Sequence, residues 1–193
     1  MPTARRVSKM KQTLGRRQLN LTVVCENIQD PHNVSAILRT CDAVGVQNVN
    51  LLYTDQRFPE LGKKSSASAK KWVNTRGFSD PQELRRHLTS LGMRIYATHL
   101  GKKSESIYNI DWTLPSAIIL GNEQRGISDN ILGICDQRVH IPMFGMIESL
   151  NVSVAAAVIL YEAGRQRLRK GLYLTSNLSE KWIDEMLEKW TQK

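Results

Sequence analysis

The chain has 193 residues, a hydrophobic fraction of 41% and a formal net charge of +9. These values fit one folded domain with appendages and exclude the disordered class. No apolar run approaches the roughly 20 residues of a membrane-spanning helix: the longest, Val152 to Tyr161, is half that and contains Ser153. The basic N-terminus lacks the apolar core of a secretory signal, so a cytoplasmic protein is expected. Cys25, Cys41 and Cys135 form no CxxC pair and read as buried thiols; the four histidines show no metal-ligand spacing, and no metal is expected.

In chain order, residues 3–18 predict a helix with a thin apolar stripe of Val7, Met10 and Leu14, too narrow for a core of its own. Leu21 to Ile28 reads as a β-branched strand. Pro31 opens a helix over 32–44, which Gly45 ends at its C′ position. Asn48 to Tyr53 is a second strand; residues 54–71 lack periodicity and read as a loop. A short strand over 72–76 precedes a helix announced by Asp80-Pro81-Gln82-Glu83, which combines an N-cap, an N1 proline and a capping-box acid. Strands are predicted over 94–100, 116–120 and 139–143, with a short helix after Ser128 and a long one over 149–170. Ser179 caps a last helix whose Trp182, Ile183, Met186, Leu187 and Trp190 share one face. Alternating strands and helices predict an α/β fold with a mostly parallel sheet flanked by helices. Ligands in such folds bind beyond the carboxyl ends of the strands.

The charge is localised. Residues 1–20, 63–71 and 164–171 hold 14 of the 27 basic residues and no acid, which leaves the remainder at net −5. Three concentrated basic segments suit a phosphate backbone, with a membrane surface or plain solvated faces as the alternatives. The candidate nucleic-acid ligands are Lys9, Arg16, Arg17, Lys63, Lys64, Lys70, Lys71, Arg165 and Arg167.

Three further segments carry candidate chemistry. Asn33-Val34-Ser35-Ala36-Ile37-Leu38-Arg39 sets Arg39 about 140° around the helix from Val34, off the core face. Gly121-Asn122-Glu123-Gln124-Arg125-Gly126 follows a buried strand, and its two glycines allow close backbone approach to a ligand. It lacks the Lys-Ser/Thr ending of a P-loop, and no strand is followed by G-x-G-x-x-G, so ATP and nicotinamide chemistry are unsupported. Ile141-Pro142-Met143-Phe144-Gly145-Met146-Ile147-Glu148-Ser149-Leu150-Asn151-Val152-Ser153 leads a glycine-bearing loop into a helix. There, polar residues are either caps or ligand contacts.

Together and in order, the three segments resemble the SPOUT superfamily of methyltransferases, in its SpoU/TrmH branch of RNA ribose methylases, across residues 20–170. The resemblance implies a deep trefoil knot in the C-terminal part of the sheet, S-adenosyl-L-methionine as cofactor, and a homodimer. It also implies methyl transfer to a ribose 2′-hydroxyl of tRNA, in the manner of the branch that modifies guanosine 18 of the D-loop. Ribosomal RNA as substrate, or a non-catalytic RNA-binding role, is the alternative. Carried over by motif, Arg39, Asn33, Glu123, Ser149 and Asn151 form the catalytic set. The cofactor is expected against Thr98, Leu100, Leu120, Gly121, Asn122, Glu123, Gly126, Ile141, Met146, Ser149 and Leu150. The implied organisation is a basic helical extension (1–20), the methyltransferase domain (21–170) and a C-terminal helical extension (171–193).

Overall fold

A computed structural model describes residues 2–55, 58, 71–174 and 178–192. Seven strands form one parallel sheet in the order β3-β2-β1-β6-β4-β7-β5. They are β1 (Gln18–Glu26), β2 (Val46–Leu52), β3 (Asn74–Phe78), β4 (Arg94–Thr98), β5 (Glu105–Ser106), β6 (Ser116–Leu120) and β7 (Gln137–His140). The helices are α1 (Ala4–Leu14), α2 (Pro31–Ala43), α3 (Pro81–Ser90), α4 (Asp129–Leu132), α5 (Val152–Arg169) and α6 (Glu180–Thr191).

The near-continuous apolar runs in β1 and β6 are the signature of strands covered on both faces. Val23 lies between Val49 and Ile118 in register. One face of the sheet packs Ile37, Leu38 and Cys41 of α2 and Ile159, Leu160 and Ala163 of α5. The other packs Leu84 and Leu88 of α3 and Ile131 of α4. Asp30, in front of Pro31, caps α2 by accepting from His32 N at 2.8 Å. Gly45 adopts the expected left-handed φ of 84°, and a Cβ there would lie 2.9 Å from the Arg16 carbonyl oxygen.

The narrow stripe of α1 is covered by α6. Met10 and Leu14 pack with Ile183, Met186 and Trp190, so the two extensions meet as a helical pair with a small core of their own. Among the described residues, no helix is long and apolar enough to cross a membrane.

Several boundaries differ from expectation. The first helix stops at Leu14, and β1 starts at Gln18, three residues early, because Gln18 N already bonds the Gly45 carbonyl at 2.8 Å ahead of an irregularity in the pairing. The strand expected over 72–76 lies at Asn74–Phe78, and the one expected over 94–100 stops at Thr98. The strand expected to reach Met143 ends at His140, and the helix expected from Ser149 begins at Val152 with Asn151 as its cap. Residues 141–151 are therefore loop. β5 and the adjoining 3-10 turn Ile107–Asn109 had no periodic signal, being too short to show one.

Candidate active site

All seven strands are parallel, so the carboxyl ends of β1, β4, β6 and β7 lie at one edge. A cavity of about 480 Å³ opens there, within the ~300–1,000 Å³ range of small-ligand pockets. Ten of the eleven residues expected to hold a cofactor line it: Thr98, Leu100, Leu120, Gly121, Asn122, Glu123, Gly126, Ile141, Ser149 and Leu150. Met146 does not. It is 99% exposed, beside Phe144 at 98% and Ile147 at 65%, at the tip of a loop whose two ends line the cavity. Val152, Ala155 and Ile159 of α5 close the floor.

The loop after β6 is held by a short backbone bridge, with Asn122 N to Gly126 O at 3.0 Å and Gly126 N to Asn122 O at 2.9 Å. A Cβ at Gly121 would lie 2.4–2.6 Å from backbone atoms of Gly126 and Ile127, so only glycine fits. Asn122 Oδ1 accepts from the backbone N–H groups of Gln124 and Arg125, and its Nδ2 donates to the Asn27 carbonyl at 2.7 Å. Glu123 is thereby turned toward α2.

A directed hydrogen-bond relay follows. Glu123 accepts from Gln29 N (3.1 Å), Asp30 N (3.3 Å) and Asn33 Nδ2 (2.9 Å). Asn151 Nδ2 donates to Asn33 Oδ1 at 3.1 Å. Asn151 Oδ1 in turn accepts from Ser153 N at 2.8 Å and Ser153 Oγ at 2.6 Å. An ionised carboxylate only accepts, so it fixes the Asn33 amide, which fixes that of Asn151. Three of the five catalytic candidates are joined in this way across α2, the loop after β6 and the start of α5. Burial alone would raise the Glu123 carboxyl, but hydrogen bonds from Asn33 and from backbone N–H groups outweigh it and hold it below the usual glutamate value. Glu123 is thus ionised at neutral pH, as the relay requires.

Arg39 and Ser149 stand apart from the relay. Ser149 is an exposed residue of the cavity wall. Arg39 is exposed on α2, about 9 Å along the axis from Asn33, and does not line the cavity.

The charged candidates divide. Lys9, Arg16 and Arg165 line a second, larger groove of about 1040 Å³ between α1, the end of α2 and α5. Lys71 is exposed. Lys63, Lys64 and Lys70 lie outside the described residues. Arg17 and Arg167 are not available to RNA: they are 3% and 0% exposed. The Arg17 guanidinium pairs with Asp42, donates to the Trp72 carbonyl at 3.4 Å and stacks over Trp190 at 5.1 Å. Arg167 donates to oxygens of Gln18, Asn20, Trp112 and Leu114. Charge clustering in a sequence counts such arginines as surface until their oxygen partners are seen.

Glu26 was missed. It ends β1 at 1% exposure and accepts from Ser128 N with both oxygens, at 3.3 and 3.2 Å, tying the loop after β6 to the central strand. An acid closing an apolar run was the available signal. Burial raises its carboxyl above the usual value, against the Ser128 hydrogen bonds. A raised carboxyl binds its proton more tightly in the folded state, so stability falls as pH climbs from the ordinary glutamate value, ~4.3, through the folded one. Glu26→Gln keeps an acceptor for Ser128 and removes the penalty. Its denaturation midpoint is expected to match wild type near pH 4 and exceed it by a margin that grows as pH rises through the raised folded value. Urea melts across that range check this; a margin that stays constant or shrinks with pH refutes it.

Residues 20–161 match the SpoU rRNA Methylase family. The chain is 43% identical over 191 residues to the tRNA (guanosine(18)-2′-O)-methyltransferase of Thermus thermophilus, covering 99% of this chain and 98% of that one. It is 43% identical over 172 residues to the Escherichia coli K12 protein of the same name, covering 89% of this chain and 75% of that one. The crystal structure of the A. aeolicus TrmH/SpoU tRNA modifying enzyme superposes with a TM-score of 0.91 at 38% identity, covering 97% and 95% of the two chains. The SpoU methyltransferase AviRb from Streptomyces viridochromogenes, in complex with the cofactor AdoMet, gives 0.70 at 26% identity, covering 78% and 59%. A family match across the whole sheet, with full-length likeness in both sequence and fold, leaves one assignment: this chain belongs to the SpoU methylase family.

Proposed function

We propose that this protein transfers a methyl group from S-adenosylmethionine to the ribose 2′-hydroxyl of guanosine 18 in tRNA. The observation that carries the reading is 43% identity to a tRNA (guanosine(18)-2′-O)-methyltransferase over 98% of that protein's length. The cavity supports it. Its wall offers apolar side chains (Leu120, Ile141, Leu150) and backbone groups at strand ends, with Gly121 letting the loop after β6 fold tightly on itself at the rim. His140, also on that wall, has an Nδ1 that is buried without a partner among the described residues. These residues fit a nucleoside-bearing cofactor, which when bound supplies an electrophilic methyl group.

The residues of the chain supply the rest. The Glu123–Asn33–Asn151 relay fixes the loop after β6 against α2 and the start of α5, so the reacting groups meet in one geometry. Arg39, cationic at any working pH, holds an RNA phosphate and stabilises the negative charge developing on the ribose oxygen. The hydroxyl proton leaves to that phosphate or to water. Ser149 lies on the cavity wall, where its hydroxyl is available to the cofactor or the RNA.

The same reading includes the trefoil knot and a homodimer. Val154, Tyr161 and Leu168, seven residues apart along α5, are 47%, 61% and 58% exposed and form an apolar stripe of the kind that a second copy covers. Its tRNA substrate makes the cytoplasm the expected location.

The test is labelled S-adenosylmethionine offered with unmodified tRNA transcript and, in parallel, with unmodified ribosomal RNA, then nucleoside analysis and site mapping. One methyl on the ribose of guanosine 18 is expected. Label on a base carbon or nitrogen refutes ribose methylation; label on ribosomal RNA alone refutes the tRNA assignment.

A further inference from the structure

The ionisable side chains on the cavity wall are Glu123, Arg125 and Glu148, with His99 and His140. Two acids against one arginine give the wall a formal negative charge, the histidines counted as neutral. Glu123 and Arg125 are already committed. Glu123 accepts from Gln29 N, Asp30 N and Asn33 Nδ2 at 3.1, 3.3 and 2.9 Å. Arg125 Nη1 pairs at 3.2 Å with Asp55, which is not on the wall. Glu148 is exposed and, among the described residues, has no hydrogen bond or ion pair. Lys102 and Lys103 follow the cavity-lining Leu100 but do not line the cavity themselves.

The wall changes character with depth. Leu120, Val139 and Ile159 are at most 1% exposed, so the buried part of the cavity is apolar and suits the uncharged nucleoside of the cofactor. Charge is kept at the rim, where water still reaches it. Glu148 stands on the loop 141–151, just before Ser149 and close before Asn151, whose amide donates to Asn33 Oδ1 at 3.1 Å. The carboxylate therefore belongs to the side of the cavity that the relay ties to α2, the helix carrying Arg39. RNA held by Arg39 meets the methyl group from that side. The sulfur that carries the methyl is cationic before transfer and neutral after it.

We propose that Glu148 is a specificity-determining residue that reads the positive charge at the cofactor's sulfur and so favours S-adenosylmethionine over its product, S-adenosylhomocysteine. The inference rests on the methyltransferase reading. In the reaction the ribose oxygen bonds the methyl carbon and the hydroxyl proton leaves. The carbon–sulfur bond breaks with its electron pair left on sulfur, which becomes a neutral thioether. Attraction to the carboxylate is then lost, whereas contacts to the nucleoside and amino-acid ends are common to substrate and product. One unpaired acid biases the site against its own product.

The experiment measures Kd by calorimetry on the full-length protein, without RNA, for three ligands. They are S-adenosylmethionine, S-adenosylhomocysteine and sinefungin, which carries an ammonium group where the methylated sulfur stands. Glu148→Gln removes the charge at an exposed position. It is expected to weaken S-adenosylmethionine and sinefungin about two- to five-fold, the range of an exposed ion pair, and to leave S-adenosylhomocysteine unchanged. Glu148→Lys is expected to carry the change further in the same direction. Added salt is expected to shrink the difference between wild type and Glu148→Gln, because exposed charges are screened.

Equal weakening of all three ligands overturns the inference, since it assigns the carboxylate to the α-ammonium group that they share or to the shape of the loop. Unchanged affinities overturn it too, as does a loss confined to S-adenosylmethionine, which marks a contact to the methyl and not to charge. A wild type that binds none of the three overturns the methyltransferase reading itself, a result distinct from all of these.

Discussion

Arg39→Ala is expected to lower the single-turnover rate of methyl transfer by about 10²–10³-fold, the usual loss when one preorganised charge-stabilising donor is removed. S-adenosylhomocysteine binding is expected to stay within about two-fold of wild type. The split follows from geometry: Arg39 is exposed on α2 and does not line the cavity, so a bound cofactor loses no contact with it. A role in orienting the relay would predict otherwise, because Glu123, Asn33 and Asn151 are bonded to one another and to backbone without Arg39. Arg39→Lys separates two chemistries. If the guanidinium acts as a cation, lysine keeps the charge but loses the two-pronged contact to phosphate. The rate is then intermediate and its pH profile gains no new ionisation. If the guanidinium acts as a base, lysine deprotonates far more easily, and the rate recovers with a new ionisation near the lysine value, ~10.4. That recovery would overturn the electrostatic role.

The relay explains why the candidate site was so legible. Asn33, Glu123 and Asn151 are polar residues placed where an apolar strand or helix ought to continue or begin, and such residues need partners. Here they are one another's partners, across roughly 90 and 118 positions of sequence. Gly121 was legible for a related reason, since a strand-end glycine followed by another five residues on implies a backbone approach that a side chain would block. The sequence pattern also located the central strands and most helices, because continuous apolar runs and 3.6-residue stripes are properties of local chain.

What the pattern missed depends on distant chain. β1 begins at Gln18 because Gly45 and Val46 are there to pair with it. β7 ends at His140 although Ile141 and Met143 are apolar, because its neighbours β4 and β5 extend no farther to offer pairing. Met146 was grouped with the cavity by motif, yet it sits on the exposed tip of a loop whose ends alone line it. Nor does an arginine's letter say whether water or protein oxygen surrounds it. Gln18 and Asn20 are seen to serve a buried cation only once β1 is found to start at Gln18.

That buried cation is Arg167, and its removal is expected to cost about 3–5 kcal/mol of folding stability, since several charge-assisted hydrogen bonds are lost and each buried acceptor left unpaired costs ~1–3 kcal/mol. All three guanidinium nitrogens are used: Nε on Trp112 O (2.8 Å), Nη1 on Gln18 Oε1 (3.0 Å) and Asn20 Oδ1 (2.6 Å), and Nη2 on Leu114 O (3.0 Å) and Asn20 O (3.3 Å). Burial pushes its pKa down to about 10, so it remains cationic at neutral pH while making charge-assisted bonds to neutral oxygens. It thereby joins the end of α5 to the start of β1 and to the segment before β6. Arg167→Ala leaves the buried Trp112 carbonyl and Gln18 Oε1 without the guanidinium. Arg167→Lys is expected to recover little, since a point donor cannot reach acceptors spread around a planar fork. Urea melts at fixed protein concentration give the loss, with the slope against urea unchanged if the unfolded state is unaffected. Salt dependence of tRNA binding then distinguishes the structural role from a phosphate contact. Lys9→Ala, at an exposed position on α1, should lower the slope of log K against log salt by about one. Arg167→Ala, compared at a temperature where it is folded, should leave that slope alone. Wild-type stability with a slope reduced by about one would instead make Arg167 an RNA ligand, which its complete burial forbids unless the end of α5 opens when RNA binds.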